Sequence, residues 1–349
     1  MTKTDELLDK EPDFQCEASS SFCKILSTLG LSIIATSYQS NRVFVIRSNG
    51  DTLHLSVKAF PRPMGLAVNQ QQIVLGISSQ IIDFRRFDHV TTDLEPKGLV
   101  TSCFVPRRTH VTGMINIHDI AWGDEGLWIV NSNFSCLSQI QGNDSFTPKW
   151  KPPFISDLAP EDRCHLNGMA IRDGKPRYVT CFNTQNEAQK WREVRDNSGI
   201  IMDVKTNAIL VDGLLLPHSP RYHSETEKLY FCNSGKGEFC QYNPETGESK
   251  VLVTLPGFLR GMDFYQHLAF IGSSLYRESE SRPSLALNSD ETLCGIFIID
   301  LNDLSILGLL KFTGDVSQIY DVAVADLSFT DLLQIDEPEV ANIFDFPPL

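Results

Sequence analysis

The sequence predicts an all-β protein, a six-bladed β-propeller whose ring is closed by a C-terminal strand paired with the N-terminal blade. Short β-type runs bounded by turn residues dominate the chain, as expected of many short strands. A five-residue segment recurs ahead of strong strands every 42 to 60 residues, a period typical of four-stranded propeller blades. Each end of the chain also lacks the part of a blade that the other end supplies.

The recurring segment marks the innermost strand of each predicted blade. It reads MGLAV at 64–68, HDIAW at 118–122, NGMAI at 167–171, HSPRY at 218–222, RGMDF at 260–264 and YDVAV at 320–324. Strands such as LWIVNS and KLYFCNS follow it, and turns such as GDEG and NPETGE separate them. Only the stretch NEAQKWREVRD has helical character, and it is short.

The two ends of the chain predict how the ring closes. The first strong strand, LSIIATSY, has no such segment ahead of it, and YDVAV has no full blade behind it. We therefore expect residues 320–324 to pair with the strand around residues 31–38, which removes the exposed edges of an open sheet. The prediction is one propeller over residues 21–335 between a flexible N-terminal tail, 1–20, and a C-terminal tail, 336–349. The alternative is two all-β sandwiches.

Composition excludes several classes of protein. The 349 residues are 42% hydrophobic and carry a net charge of −14, whereas nucleic-acid binding needs a basic surface. No run approaches the roughly 18 apolar residues of a membrane span, and the acidic start is not typical of a signal peptide. The nine cysteines include no CxxC pair. We expect reduced thiols, a cytoplasmic location, and neither nucleic-acid nor membrane partners.

The aligned segments predict which side chains meet on the propeller axis. The first residue of an inner strand lies near one rim of the central channel, where the loops that enter the blades gather. The residues at this position are Met64, His118, Asn167, His218, Arg260 and Tyr320. His165 lies two residues before Asn167, and it should point the same way because strand side chains repeat every two residues.

Three histidines on separate strands predict a site for one divalent or redox metal ion. His118, His165 and His218 suit zinc, iron or copper, and three protein ligands leave positions open for water or substrate. Tyr320 or Asp321 would transfer protons or, like Asn167, support the metal ligands. The alternative is a polar channel in which the histidines bond only to carbonyl groups and water.

Arg260 is the predicted partner of an anionic substrate, because guanidinium groups bind carboxylate and phosphate in a bidentate way. Its alternative role is to neutralise Asp119 or Asp321 inside the channel.

Turns after the second strand of each blade should rim the same channel mouth. Asn131, Asn183 and Asn233 fall at matching places there, although Asn is also an ordinary turn former. Two longer turns, 183–198 and 274–292, carry Trp191 and Arg277 and are candidate lids over a ligand.

Five stretches of the sequence carry a family resemblance: DLAPEDRCHLNGMAI, PRYVTCFNT, LPHSPRYH, LYFCNSGKGEFCQYNPETGE and LPGFLRGMDF. They resemble an uncharacterised bacterial family of conserved hypothetical proteins, some of which are joined to tetratricopeptide repeats. The resemblance covers roughly residues 63–300 and implies a propeller-like fold without a known activity. The turn NSGKGEFCQYNPETGE and the blade spacing are more distantly similar to the gluconolactonase and senescence-marker-protein group. That group has six blades, one axial divalent metal and a lactone substrate, but its ligands are mainly carboxylate and Asn, whereas His dominates here.

The sequence contains no GxSxG, HExxH, GxGxxG or P-loop motif, and two hypotheses for function remain. The first is a metal-dependent enzyme that acts on a small anionic or peptide-like substrate, by hydrolysis or elimination with zinc and by oxidation with iron or copper. The second is a non-catalytic propeller that binds a peptide or protein through its top rim.

Overall fold

Six sheets form a closed ring in the structure, a computed structural model that describes residues 11–193, 197–276, 287, 289–344 and 346. From the innermost strand outward, blade 1 consists of Asp321–Ala325, Ser32–Ser37, Arg42–Asn49 and Thr52–Ala59. Blade 2 consists of Leu66–Val68, Gln72–Ile77, Gln80–Arg86 and Ser102–Val111. Blade 3 consists of Ile117–Gly123, Gly126–Asn131, Cys136–Gln139 and Thr147–Trp150. Blade 4 consists of Leu166–Arg172, Lys175–Cys181, Gly199–Asp203 and Ile209–Leu214. Blade 5 consists of Pro217–His223, Lys228–Asn233, Glu238–Tyr242 and Ser249–Thr254. Blade 6 consists of Phe258–Tyr265, Leu268–Ser274, Gly295–Asp300 and Ile306–Phe312.

The six-bladed prediction is confirmed, and so is the way in which the ring closes. Four of the six recurring segments lie within innermost strands, and the other two, residues 64–68 and 320–324, begin one or two residues before theirs. Asp321–Ala325 pairs antiparallel with Ser32–Ser37, with Val324 opposite Ile33. The closing strand thus joins residues almost 290 positions apart in sequence, and blade 1 is built from both ends of the chain.

The N-terminal segment differs from the predicted tail of residues 1–20. Cys16–Ala18 adds a fifth strand to the outer edge of blade 6, and Cys16 lies opposite Phe312. A helix, Ser20–Leu29, follows; Ser19 caps its start, and Gly30 ends it in the left-handed conformation, as is common at helix ends. Its residues Phe22 and Leu26 are buried in a core shared by blades 1 and 6. No helix among the described residues is long and apolar enough to cross a membrane.

The C-terminal segment also packs on the propeller. Thr330–Leu332 pairs in parallel with Ser102–Val111 as a fifth strand of blade 2. Buried Asp331 forms an ion pair of 2.9 Å with Arg47 of blade 1. A 3₁₀ helix at Pro338–Asn342 follows, and Ile343 is buried against blade 2. The predicted C-terminal tail of residues 336–349 is therefore docked up to Ile343.

Carboxylates on the inner strands link neighbouring blades around the axis. Asp119 of blade 3 accepts a 2.9 Å hydrogen bond from the backbone N–H of Met169 in blade 4. Asp321 of blade 1 accepts one of 3.2 Å from Leu66 in blade 2. Asp263 of blade 6 likewise accepts a hydrogen bond from a backbone N–H group of blade 1. These bonds satisfy buried backbone donors that face the channel and hold the inner strands, which carry the candidate site, in register.

Candidate functional site

A cavity of about 320 Å³ opens where the inner strands begin. Six of the side chains that line it are Arg62, His118, His165, Trp191, Arg260 and Tyr320. The channel narrows below it, among residues that include His118, Asn167, His218 and Asp321. The structure therefore brings the predicted histidines, Arg260 and Tyr320 to one end of the channel. The volume falls at the lower end of the range for small-molecule pockets.

The three predicted histidines converge, with His118 and His165 in direct contact. Their ring centroids are 4.8 Å apart in an edge-to-face arrangement. The ring of Phe182 lies between His165 and His218, with centroid distances of 4.4 and 5.1 Å. All three imidazoles are buried, so each nitrogen needs a defined partner.

The same ring nitrogen carries the proton in all three histidines. Nδ1 of His118 lies 3.0 Å from the carbonyl oxygen of Asn116, and that of His218 lies 2.9 Å from the carbonyl oxygen of Leu216. Nδ1 of His165 lies 2.9 Å from Oδ1 of Asp162. These oxygens only accept, so each Nδ1 donates, and the lone pair of each neutral imidazole is on Nε2.

Two of these imidazoles are neutral at physiological pH. Burial lowers the pKa of His118 well below its ordinary value, and electrostatic repulsion from His165, Arg260 and Arg62 acts in the same direction. Burial also lowers the pKa of His218, and the charge of Arg260 is the next largest cause. His118 and His218 therefore present imidazole lone pairs rather than imidazolium cations.

Arg260 is held by aromatic rings and by a histidine, not by a carboxylate. Its Nη2 donates a 2.9 Å hydrogen bond to Nε2 of His218. Its guanidinium carbon lies 4.8 Å from the ring centroid of Tyr320 and 5.4 Å from that of Phe258. In the part of the chain that the structure describes, its buried Nε has no hydrogen-bond partner and the guanidinium has no ion pair. Cation–π contacts orient the group but leave its charge unneutralised.

The carboxylates of the channel are neutralised by Arg221, which sequence analysis did not single out. Arg221 lies 2.8 Å from Asp119 and 3.4 Å from Asp321. Burial raises the pKa of Asp321 to about 8, and the charge of Arg221 acts against this rise. A bulge between His218 and Arg221 shifts the side-chain alternation and turns Arg221 toward the axis.

Asp162 and Trp191 fix the orientation of His165. The carboxylate of Asp162 accepts from Nδ1 of His165 and, at 3.0 Å, from Nε1 of Trp191. The indole also stacks on the imidazole with centroids 4.1 Å apart. Trp191 belongs to a 3₁₀ turn, Lys190–Arg192, in the stretch for which sequence analysis expected helical character. The longer turn of blade 4 thus contributes a wall of the mouth, whereas Asp162 lies outside the recurring segments and carried no sequence signal.

The remaining predicted residues occupy other places. Asn131 and Asn233 end the second strands of blades 3 and 5, and Asn183 follows the second strand of blade 4. Their side-chain oxygens accept from the backbone N–H groups of Phe134, Leu215 and Gln185, respectively, and none of the three lines the cavity. Asn167 bonds to the carbonyl of His165 and to Thr180. The hydroxyl of Tyr320 donates to the carbonyl oxygen of His118, and burial raises its pKa. Arg277 lies outside the described residues.

The histidines do not form a ready set of metal ligands in this arrangement. Among the described residues, no three His, Cys, Asp or Glu side chains are placed to hold one ion. The reason is visible at His218, because its Nε2 lone pair already accepts from Arg260. A guanidinium and a metal cation cannot share one lone pair, so metal binding would first require Arg260 to move.

Fold and site together define a six-bladed β-propeller with a histidine- and arginine-lined channel mouth. The sequence matches the family described as "Domain of unknown function (DUF4915)" over residues 20–330, and the chain belongs to that family. No functionally curated protein matches it. A chain from the crystal structure of a nidogen/laminin complex is similar, with a TM-score of 0.55 and 12% identity over 84% of this chain and 98% of that one. This likeness concerns the fold alone.

Proposed function

We propose that the channel mouth binds a small molecule through a negatively charged group and that Arg260 is the residue that pairs with this charge. One observation carries the proposal. Arg260 faces a cavity and, within the described residues, has neither a carboxylate partner nor a partner for its buried Nε. An uncompensated guanidinium at a partly dehydrated site is costly, and an anionic ligand would supply the missing charge and hydrogen-bond acceptors.

The charge of the cavity wall supports the same conclusion. Arg62 and Arg260 line the cavity, and Asp162 is the one carboxylate among the described residues that line it. Asp162 is already bonded to His165 and Trp191. The described lining therefore has an excess of positive charge in a chain whose net charge is −14, and such a local excess attracts anions.

A matched pair of probes tests the charge requirement. Benzoate and benzamide have nearly the same shape, and only benzoate is anionic. At fixed ionic strength, benzoate should raise the melting temperature by an amount that grows with the logarithm of its concentration above the Kd, whereas benzamide should have little effect. Arg260→Gln should abolish the shift. The control Arg86→Gln, at an arginine that pairs with Asp88 on the surface of blade 2, should keep it.

Either of two results would contradict the proposal: equal shifts with benzoate and benzamide, or a full benzoate shift in Arg260→Gln.

A metal-dependent enzyme remains the second candidate, favoured by the shared protonation of the three histidines. Metal-ligating histidines typically donate their second ring N–H to a carbonyl or carboxylate oxygen, as His118, His165 and His218 do. The carboxylates of the channel are poorer candidates for metal ligands, since Asp119 and Asp321 already bind Arg221. This arrangement argues against a calcium-type site and against lactone hydrolysis. Elemental analysis of untagged protein supplied with zinc, iron and copper tests this candidate. About one bound ion per chain would support it, and the absence of bound ion would reject it.

We also propose a reducing, cytoplasmic compartment for this protein. All nine cysteines are free thiols, and eight of them are buried. Burial raises the pKa of several, including Cys136 to about 11 and Cys240 to about 12. Such thiols are unreactive core groups, and proteins that keep many free cysteines are typical of reducing compartments.

A further inference from the structure

A second arginine that has no carboxylate partner in the described part of the chain faces the same cavity. Arg62 lies in the loop that enters the inner strand of blade 2, and it lines the mouth together with Arg260. Its backbone has the left-handed conformation, with φ of 52°, and its N–H donates a 2.8 Å hydrogen bond to Oδ1 of Asn41. Among the described residues, its guanidinium has no ion pair. The main chain at Arg62 is thus fixed, while its charge is left for something in the cavity.

The surface between the two guanidinium groups is aromatic. Arg62 enters from blade 2 and Arg260 from blade 6, so blade 1 lies between them in the ring. Blade 1 contributes Tyr38 and Tyr320, whose ring centroids are 5.6 Å apart. Both tyrosines line the cavity. The wall therefore offers a positive charge at each end and an apolar surface between them.

We infer that the ligand is a small dianion with two separate anionic groups, one bound by Arg260 and the other by Arg62, joined by a short apolar or planar portion that packs on Tyr38 and Tyr320. This inference rests on the proposed function and adds the substrate class. Two cations without a carboxylate partner among the described residues favour a ligand with two negative charges, and guanidinium groups recognise carboxylate and phosphate with directional hydrogen bonds. The cavity of about 320 Å³ fits a small metabolite, because it lies at the lower end of ligand-pocket volumes.

Gln318 provides another polar contact in the same cavity. Its side-chain amide oxygen is buried without a hydrogen-bond partner in the described part of the chain, and the residue lines the mouth. Buried polar atoms usually have a partner, so a hydroxyl or amine donor on the ligand is expected beside the two anionic groups.

Calorimetric titration with benzoate and with the three benzenedicarboxylates tests the inference. Phthalate, isophthalate and terephthalate place the second carboxylate at increasing distances from the first. The best of the three should bind at least about tenfold more tightly than benzoate, since a second good ionic contact contributes about 1.4 kcal/mol or more. Arg62→Gln should remove this tenfold advantage and should weaken benzoate much less than it weakens the best dicarboxylate. Arg260→Gln should weaken both kinds of probe.

The outcomes separate this inference from the proposed function. If benzoate binds through Arg260 but no dicarboxylate binds more tightly, or if Arg62→Gln weakens benzoate and dicarboxylates equally, the ligand is not a dianion of this kind and the proposed function stands. If none of the four probes binds, both fail. Unchanged melting of unliganded Arg62→Gln would show that the variant is folded, as expected for a residue on a loop.

Discussion

At the scale of single residues, the channel contains two arginines with opposite roles. Arg221 has two carboxylates, Asp119 at 2.8 Å and Asp321 at 3.4 Å. Arg260 has aromatic rings and a neutral imidazole. A buried guanidinium that is matched by carboxylates belongs to the fold, whereas one that is left unmatched is available to a ligand.

This contrast predicts opposite effects for the same substitution. Arg221→Met leaves the Asp119 carboxylate buried without its cation, and it should lower the free energy of unfolding by about 3–5 kcal/mol. Arg260→Met replaces an uncompensated cation by an apolar side chain among Tyr320, Phe258 and Tyr38. Without ligand, its stability should be within about 1 kcal/mol of the wild type or higher.

Urea denaturation of both variants measures the two values side by side. A loss in Arg260→Met as large as that in Arg221→Met would mean that Arg260 is structural, and the proposed anion site would lose its basis.

The sequence predicted the residues of the mouth that begin inner strands but not their partners. His118, His218, Arg260 and Tyr320 were found because each starts a recurring segment. Arg221 was missed because a bulge changes the direction of its side chain. Asp162 was missed because its contact with His165 depends on a loop with positive φ at both residues, and neither a bulge nor such a loop has a periodic sequence signal.

At the scale of strands, the inner strands lie so close together that two of them meet at a glycine. Gly261 on the blade 6 inner strand has φ of 78°, and a Cβ built there would lie 2.7 Å from the Cα of Asp321 in blade 1. Real Cβ atoms do not approach backbone that closely. A glycine is therefore required here both for its backbone conformation and for the space between the blades.

Gly261→Ala should destabilise the protein more than a matched glycine does. Gly213, on the outermost strand of blade 4, also has positive φ, 69°, but has no atom within 4 Å of a built Cβ. Both variants suffer the backbone strain of about 1–2 kcal/mol, and Gly261→Ala should lose about 1–3 kcal/mol more from overpacking. Thermal melting of the two proteins gives the difference. Equal losses would show that blades 1 and 6 can separate without cost.

The strand pattern was predictable because, apart from the closing strand Asp321–Ala325, the strands within each four-stranded blade pair with their neighbours in sequence, with turn residues between them. Three elements were not predictable in this way: the helix Ser20–Leu29 and the edge strands Cys16–Ala18 and Thr330–Leu332. A three-residue strand has no alternation to detect, and both edge strands pair with residues more than 220 positions away. Their formation depends on tertiary contacts, which outweigh local propensity.

At the scale of the whole molecule, blade 1 depends on both ends of the chain. Its inner strand, Asp321–Ala325, comes from the C-terminal end, and its other three strands come from the N-terminal end. The fifth strands lie on blades 6 and 2, the two neighbours of blade 1. Chain closure and terminal docking therefore stabilise the same half of the ring, blades 6, 1 and 2, where Arg62, Arg260 and Tyr320 also lie.

Removing residues 314–349 should open the ring. The strand Ser32–Ser37 would lose its hydrogen-bonded partner along five residue pairs, and its inner edge would become an exposed apolar β-edge, which pairs readily with other chains. The truncated protein is expected to be insoluble or oligomeric.

The matched control is removal of residues 344–349 alone. This truncation spares Thr330–Leu332 and Ile343, and the protein should remain folded with nearly unchanged melting. Size-exclusion chromatography and thermal melting of both truncations measure this. A monomeric 1–313 fragment that melts like the full chain would mean that the closing strand contributes nothing, contrary to a ring held shut by the pairing of Asp321–Ala325 with blade 1.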